Sequence, residues 1–394
     1  MTKHIVIGAG ISGIGAAHFA AQQGIATVVL ERSERVGGCM HTHPFASLDG
    51  FWIEAGGHSC FNSYGTLLRI MEQRNLLDLI TAKQKVNYLL WHQGRRRSIV
   101  SALHFLELAL SLPKLRRLDK AQSSVKEYYE QLLGAKNYRD LFAPAFRSVV
   151  CQPADNFPAL AMFRKKPRRK DILRSFTLAN GLNALPQAIA QQPNIEVRTE
   201  QLIDQIERTA TGYAVHSNGQ RIDTETLTLA VPPDVAAELV STAAPEIAAI
   251  LQRIGMVEID TFMLAVEQQQ LQLKPFAGLI SVDGPFLSAV SRDFLPDDRY
   301  RGFAFHFPGG KYSFADKQAA ACAALSLNPE QIAASAEVRN RLPSLSKDHF
   351  AVIESLDQAL NGLPLAITGN WFLGVSIEDC LTRSEQEHKR LFAT

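Results

Sequence analysis

Near its start the chain reads Ile5-Val6-Ile7-Gly8-Ala9-Gly10-Ile11-Ser12-Gly13. The apolar residues predict a short buried strand that turns directly into a helix through three glycines. Gly8 permits a tight turn, Gly10 lets the backbone approach a pyrophosphate, and Gly13 lets the helix pack close to a sheet. The helix N-terminus offers free N–H groups and the positive end of its dipole to phosphates. The alternative is an ordinary βαβ turn that binds no ligand.

The residues that follow favour a dinucleotide site. Residues 16–21 continue the helix, and residues 27–30 predict a second strand that ends at Glu31. Glu31 lies eighteen positions after Gly13, close to the roughly 20 expected of an acid that binds ribose. The adjacent glycines Gly37 and Gly38 predict backbone N–H groups turned toward a second part of the ligand.

Length and composition indicate an ordinary globular protein. The chain has 394 residues, of which 46% are hydrophobic and 20% charged, so two domains are expected. Its net charge of +2 gives no electrostatic argument for a nucleic-acid partner. The first strand leaves no room for a signal peptide, and no apolar run approaches a membrane span. We therefore expect a cytoplasmic protein, with peripheral contact at the inner membrane face as an alternative.

The cysteines predict neither disulfides nor a metal. There are five, scattered and without a CxxC pair, as is typical of a reducing compartment. One cluster combines cysteine with histidine but lacks the usual zinc spacings, and its members are Cys39, His41, His43, His58 and Cys60. We interpret them as loop residues beside a cofactor and expect no metal.

Three inner segments carry further predictions. Residues 103–112 predict a leucine-rich helix that ends at Pro113 and lies in the core or a substrate-channel wall, with in-plane membrane contact as the alternative. The basic residues 164–170 predict a solvated loop, with an anionic membrane or a carboxylate-bearing substrate as alternatives. Residues 302–307 alternate phenylalanine with smaller residues, which predicts three rings on one strand face. We expect those rings in the core, although they would also suit a planar substrate.

The end of the chain returns to a strand, a glycine-bounded turn and a helix. Residues 365–368 predict the strand, residues 369–376 the turn, and the helix begins at Ile377. Glu378 and Asp379 lie in its first turn. We expect this second helix N-terminus to meet another electron-rich part of the cofactor.

On three separate blocks the chain resembles the FAD-dependent amine oxidase superfamily, most closely its protoporphyrinogen oxidase branch. The blocks are GAGISG with ERSERVGG, NIEVRTEQLIDQIE through LTLAVPP, and the closing stretch from RLPSLSKDHF to GNWFLGVSIEDCL. The resemblance implies an α/β fold, in which a Rossmann-type FAD-binding domain carries an inserted α+β substrate domain with a mixed sheet and a helical subdomain. It implies a discontinuous FAD-binding domain of residues 1–80, 176–240 and 345–394, and a substrate-binding domain of residues 81–175 and 241–344.

The resemblance also implies site residues. Matched motif by motif, the FAD contacts are Gly8, Gly10, Ser12, Gly13, Glu31, Arg32, Gly37, Gly38, Gly57, Leu202, Gly369, Asn370, Gly374, Val375 and Ser376. His58 and Asn370 are candidate neighbours of the flavin ring. Arg95 and Arg97 are candidates for pairing with substrate carboxylates, although a basic hairpin turn after Gly94 explains them equally well.

The chain departs from the family pattern in two places. Cys39 stands where many members carry arginine, and the closing motif reads Trp371-Phe372-Leu373, with no tyrosine for an aromatic cage. Cys380 lies in the closing helix, and covalent flavin attachment is not implied. The closing motif without tyrosine disfavours a typical amine oxidase.

The implied activity is hydride transfer from a planar or apolar small molecule to flavin N5, as in oxidation of protoporphyrinogen IX, with oxygen or a quinone as the electron acceptor. The alternatives are oxidation of an amine, desaturation of an isoprenoid and a non-redox reaction like that of sugar-ring mutases. A binding protein without FAD, like the escort proteins of small GTPases, is disfavoured by the intact glycines and by Glu31.

Overall fold

A computed structural model describes residues 2–111 and 118–392 of the chain. Within these residues the strands, in chain order, are β1 (Thr2–Ile7), β2 (Thr27–Leu30), β3 (Thr42–Phe45), β4 (Phe51–Glu54), β5 (Cys60–Phe61), β6 (Ile80–Ala82), β7 (Tyr88–His92), β8 (Arg95–Ser98), β9 (Ser175–Leu178), β10 (Ile195–Arg198), β11 (Ile203–Thr209), β12 (Gly212–Ser217), β13 (Gln220–Leu229), β14 (Gly255–Glu267), β15 (Gly278–Ser281), β16 (Ser288–Ser291), β17 (Tyr300–Pro308), β18 (Ile332–Ser344) and β19 (Leu365–Ile367).

The helices of the same residues are α1 (Ile11–Gln22), α2 (Gly65–Gln73), α3 (Phe105–Ser111), α4 (Val125–Leu133), α5 (Ala135–Asn137), α6 (Ala143–Val150), α7 (Ala184–Ala190), α8 (Pro233–Val240), α9 (Pro245–Leu251), α10 (Phe314–Leu325), α11 (His349–Leu360) and α12 (Ile377–Leu391). A π-helical turn, Tyr138–Phe142, joins α5 to α6.

The first sheet is parallel at its centre. Its parallel strands run in the order β10-β2-β1-β13-β19, and β11 and β12 extend the start of β13 as an antiparallel meander. Successive residues of β1 contribute to opposite cores, with Ile5 and Ile7 on one side and Val6 on the other. Both faces are therefore covered, which explains why β1 is apolar throughout its second half. The predicted Rossmann-type α/β fold is confirmed.

The second sheet is mixed, in the order β18-β14-β17-β16-β15-β7-β8. Its neighbours are antiparallel except β15 and β7, which run parallel. Phe303, Phe305 and Phe307 are fully buried in a core that includes residues of α10. The prediction that these three rings lie in the core is therefore confirmed.

The chain passes more than once between the two sheets. The first sheet takes strands from residues 2–30, 195–229 and 365–367, whereas the second takes them from residues 88–98 and 255–344. The basic hairpin of β7 and β8 is thus an edge of the second sheet. The exact domain boundaries stay a prediction.

One local prediction is wrong, and a second holds only in part. Helix α3, within the leucine-rich residues 103–112, turns leucines to the surface and is neither core nor channel wall, while Leu112 and Pro113 lie outside the described residues. The basic run is solvated only in part. Lys166 forms an ion pair with Asp379 at 2.7 Å, and Arg169 pairs with Glu72 at 2.7 Å. These ion pairs fix two of its side chains against α12 and α2, so the segment is part of the packed structure.

Across residues 2–111 and 118–392, none of the helices combines the length and the apolar character needed to cross a bilayer. The five cysteines are free thiols.

Candidate functional site

The three glycines of the turn between β1 and α1 have different structural roles. Gly8 adopts a φ of +98°, and a methyl group added there would lie 2.6 Å from the carbonyl oxygen of Ala230. A methyl group on Gly13 would overlap the carbonyl oxygen of Gly8. At Gly10, by contrast, the nearest atom would be Gly38 Cα at 3.9 Å. Gly8 and Gly13 are therefore required by chain packing, while Gly10 leaves open space before the helix.

Helix α1 presents an uncompensated N-terminus to that space. In the part of the chain that the structure describes, no side chain caps this helix and its first turn holds no acidic residue. Ser12 is buried there, and its carbonyl accepts a hydrogen bond from Ser384 Oγ at 2.8 Å. The free N–H groups and the helix dipole favour an anion at this point.

Glu31 is fixed beside the turn. One carboxylate oxygen accepts the Ala9 N–H at 2.7 Å, and the other accepts the N–H and hydroxyl of Ser33 at 2.9 and 2.8 Å. Arg32 is exposed next to it. Exposed Leu202 follows Gln201, whose N–H donates to the Glu31 carbonyl at 2.8 Å. Glu31 and Leu202, both predicted FAD contacts, therefore lie on adjoining segments.

Arg35 is a residue that the sequence reasoning missed. Its Nη2 donates to the Gly38 carbonyl at 2.8 Å, and its Nη1 is buried without a hydrogen-bond partner among the described residues. Burial lowers the pKa of this guanidinium. A buried, unpaired cationic donor next to Gly38 and near the start of α1 is chemically suited to a phosphate oxygen. The signal was present in the sequence, because Arg35 belongs to the block ERSERVGG.

The second glycine pair, Gly37 and Gly38, contacts the first glycine turn. The Gly37 N–H donates to the Ala9 carbonyl at 2.9 Å, and Gly37 forms a parallel bridge with Gly10. The expectation that both N–H groups of the pair face a ligand is therefore wrong for Gly37, because its N–H is already bonded to the Ala9 carbonyl of the first glycine turn. Gly38 has a φ of +56° and faces Gly10.

The third glycine pair meets the second. The Gly57 N–H donates to the Cys39 carbonyl at 3.1 Å, and a methyl group on Gly56 would overlap that same oxygen. On its other side, Gly57 approaches Ile377 at the start of α12. Segments far apart in sequence thus converge, and His58 extends from this junction.

The closing turn, residues 369–376, is linked through Asp379 to the basic run of residues 164–170. Ser376 caps α12, because its hydroxyl accepts the Asp379 N–H at 3.1 Å and donates to the Asp379 carboxylate at 2.6 Å. Gly374 lies against the same carboxylate, which Lys166 neutralises. Glu378 points elsewhere: its carboxylate accepts two N–H groups at the start of α2, at 2.9 and 3.1 Å.

The remaining residues of that turn differ in exposure. Asn370 and Val375 are half-buried, and Gly369 packs against the indole of Trp371. Trp371 and Phe372 are fully buried and stack at 3.9 Å between ring centroids. Because both rings belong to the core, neither forms an open aromatic cage.

His58 lies at a small pocket between β4 and the second sheet. The pocket is lined by Trp52, Ile53, Glu54, His58, Val290, Ser291, Arg292, Phe294 and Ala304. The ring of His58 lies 5.5 Å from that of His306, which hydrogen-bonds Thr261 through Nδ1 at 3.1 Å. Burial, with His306 and Lys83 nearby, lowers the pKa of His58 well below its ordinary value, and burial lowers the pKa of His306 to about 4. Both imidazoles are neutral at pH 7.

Two cations and one carboxyl surround this pocket. Lys83 Nζ donates to Ser59 Oγ at 2.5 Å and lies 3.9 Å from the Phe294 ring centroid, and burial lowers its pKa to about 8. The Arg292 guanidinium lies 4.5 Å from the Trp52 ring, with a buried Nε that has no partner among the described residues. Burial raises the pKa of Glu54 to about 7. Sequence reasoning missed Lys83, Glu54 and Arg292, which belong to no motif.

The arginines proposed from the sequence lie elsewhere. Arg95 and Arg97 are exposed on β8, the edge strand of the second sheet, and Arg97 donates to Gln93 at 3.3 Å. Four strand spacings separate β8 from β17, which carries His306, so the distance is about 19 Å. The structure therefore does not bring Arg95 and Arg97 together with His58, and the basic-hairpin interpretation describes them. Within residues 2–111 and 118–392, no three histidine, cysteine or acidic side chains are grouped to hold a metal.

Comparison with known proteins decides the family. The model of the flavin-containing amine oxidoreductases matches residues 11–314.

The chain belongs to this family.

Solved structures of similar fold have different activities in their names. One is a protein from Exiguobacterium sp. 255-15 provisionally named protoporphyrinogen oxidase, with a TM-score of 0.77, 16% identity and 98% of each chain covered. A CLA-producing fatty acid isomerase from P. acnes has a TM-score of 0.76 and 16% identity, with 99% of each chain covered. A putrescine oxidase bound to putrescine has a TM-score of 0.71 and 14% identity, with 100% of this chain and 99% of that chain covered. At these identities the likeness shows the fold alone.

FAD is the cofactor of this flavin-containing amine oxidoreductase. The residues present fit it. Gly10 leaves space where a pyrophosphate would approach. Arg35, which donates to the carbonyl of Gly38 beside Gly10, has a second nitrogen without a hydrogen-bond partner among the described residues. Glu31 is fixed after β2, where it would meet a ribose. We propose that the remaining predicted contacts also bind FAD. We further propose that the isoalloxazine ring of FAD lies where Gly57 meets the closing turn.

Proposed function

We propose that this flavin-containing amine oxidoreductase removes a hydride from an apolar substrate that carries carboxylates, with protoporphyrinogen IX as the first compound to test. The observation that carries the proposal is the charge around the His58 pocket. Lys83 and Arg292 provide two cations there, while Glu54, with a pKa of about 7, is ionised in only about half of the molecules at pH 7. Such surroundings attract a carboxylate and repel a protonated amine.

The positions of three aromatic rings, those of Trp371, Phe372 and Trp52, support the same choice. Amine cations are commonly held over exposed aromatic faces, but Trp371 and Phe372 are sealed in the core. The Trp52 face is covered by the guanidinium of Arg292 at 4.5 Å. An amine substrate would therefore have to displace a cation already resident on that ring.

Bound FAD supplies the hydride acceptor, at N5 of its ring. The chain's own residues bind and orient the substrate. The Lys83 ammonium, fixed by Ser59, would bind a substrate carboxylate. Neutral His58, which His306 holds in a tilted ring contact, would accept at a ring nitrogen the proton that the substrate loses with the hydride. Phe294 and Trp52 provide apolar walls that exclude water. Oxygen and a quinone are the electron acceptors to be compared.

The test is anaerobic mixing of FAD-loaded protein with protoporphyrinogen IX. We expect the flavin absorbance to bleach and porphyrin fluorescence to appear. A panel of amines and carotenoid precursors is mixed in parallel. Bleaching by an amine, with none by the porphyrinogen, would overturn the proposal.

Lys83→Met tests the binding step. Loss of a charge-assisted hydrogen bond should weaken substrate binding roughly 10- to 100-fold, while the unmixed protein keeps its flavin spectrum. Lys85→Met, which changes an exposed lysine two residues away, is the matched control and should behave as the unmodified protein. Equal substrate affinity in the two variants would contradict the role of Lys83.

A further inference from the structure

The two faces of the second sheet have different surroundings. Successive residues of a strand point to opposite faces. Phe305 of β17 and Ala289 of β16 lie in the core that includes residues of α10. Their chain neighbours Ala304 and Val290 lie on the other face, where both line the pocket of His58. This second face is called the pocket face below.

The pocket face continues from Val290 to Tyr88. Val290 is paired with Gly278 of β15, and Gly278 is paired with Tyr88 of β7. A methyl group added to Gly278 would lie 3.2 Å from Cε1 of Tyr88. The tyrosine ring therefore lies over β15, on the side where glycine has no side chain.

The ring of Tyr88 is open to a ligand. Tyr88 is 50% exposed, although β7 is an inner strand of the sheet. Its hydroxyl forms no hydrogen bond with residues 2–111 or 118–392, and burial of the rest of the side chain raises the pKa of that hydroxyl. At pH 7 the side chain is therefore an uncharged ring, which suits contact with an apolar molecule.

The distance from His58 to this ring is that of a long ligand. His306, whose ring contacts that of His58, lies on β17, and β16 separates β17 from β15. Two strand spacings make about 10 Å. A molecule that touches both His58 and the ring over β15 must therefore be about 10 Å long or longer.

We propose that Tyr88 forms the far wall of the substrate site and selects for long apolar carboxylates. The inference rests on the proposed function, in which Lys83 binds the carboxylate. From there the apolar body of the substrate would cross Val290 and Gly278 and pack on the ring of Tyr88. A short carboxylate would be held at Lys83 without reaching the ring.

The test is calorimetric titration of the FAD-loaded full chain with two saturated carboxylates, hexanoate and dodecanoate, below the concentration at which dodecanoate forms micelles. We expect dodecanoate to bind more tightly. Tyr88→Ala should weaken dodecanoate binding roughly 10-fold through loss of an aromatic contact, and should leave hexanoate binding unchanged. Tyr88→Phe keeps the ring and should bind both probes within about twofold of the unmodified protein.

Matched controls separate this contact from general effects. Phe314→Ala changes an aromatic residue that is 46% exposed on α10, which packs against the opposite face of the sheet. It should bind both probes as the unmodified protein does, whereas Lys83→Met should weaken the binding of both. All variants should keep their flavin spectrum and melting temperature.

The outcomes distinguish this inference from the proposed function. Unchanged dodecanoate binding by Tyr88→Ala, with weakened binding by Lys83→Met, overturns the role of Tyr88 alone. Equal weakening of hexanoate and dodecanoate by Tyr88→Ala also overturns it, because the ring would then not sense length. If the unmodified protein binds neither probe, both the role of Tyr88 and the carboxylate site at Lys83 are overturned.

Discussion

Glu54→Gln should stabilise the protein in a way that depends on pH. Glu54 is 3% exposed, and burial raises its pKa from 4.5 to about 7. A raised carboxyl pKa means that the folded state binds the proton more tightly than the unfolded chain. Between pH 4.5 and 7 the folded protein therefore loses stability as pH rises, and above pH 7 the whole cost is present. A shift of about 2.5 units corresponds to about 3 kcal/mol.

Glutamine can replace the carboxyl without breaking its hydrogen bonds. One oxygen of Glu54 accepts the Leu182 N–H at 2.7 Å, which an amide oxygen can also accept. The other accepts the Thr42 hydroxyl at 2.9 Å, and an amide N–H can instead donate to that hydroxyl oxygen. We therefore expect Glu54→Gln to be about 3 kcal/mol more stable than the unmodified protein at pH 8, and equally stable near pH 4.5.

The assay is equilibrium urea unfolding at several pH values with saturating FAD, which keeps the contribution of cofactor binding constant. Tryptophan fluorescence and circular dichroism are followed together, so that two-state behaviour is checked. Glu238→Gln, at an exposed glutamate of α8, is the control and should leave the pH dependence unchanged. A stability difference that does not vary with pH, or a less stable Glu54→Gln at pH 8, would refute the reasoning.

Three further predictions concern the cofactor site. Gly13→Ala should abolish retention of FAD, because the added methyl group overlaps the Gly8 carbonyl oxygen; a normal flavin spectrum after gel filtration would contradict this. Arg35→Met should weaken FAD binding roughly 10- to 100-fold, whereas Arg253→Met, at an exposed arginine after α9, should change it little; flavin fluorescence titration compares the two. Ser376→Ala should lower the free energy of unfolding by about 1 kcal/mol through loss of the α12 cap, and an unchanged urea midpoint would count against that cap.

The sequence by itself determined the first turn, its strand and helix, the place of Glu31 after β2, and the closing strand, turn and helix. These features depend on local chemistry: glycine at positions that no side chain could occupy, apolar runs buried on both faces, and a serine at a helix start. The same local signal contained Arg35, in the block around Gly37 and Gly38. The three alternating phenylalanines were also predictable, because period-2 spacing fixes which side chains share a strand face.

Only the tertiary structure decided what surrounds His58 and which way α3 faces. Lys83 and Arg292 come together through contacts with Phe294 and Trp52, from residues more than two hundred positions apart. Arg95 and Arg97 were separated from the site by the order of strands in the second sheet. The leucines of α3 face outward because Glu107 is bound from the opposite side by amides of α5. The sequence contains each of these residues, but the free energy that positions them comes from long-range contacts, which no local pattern encodes.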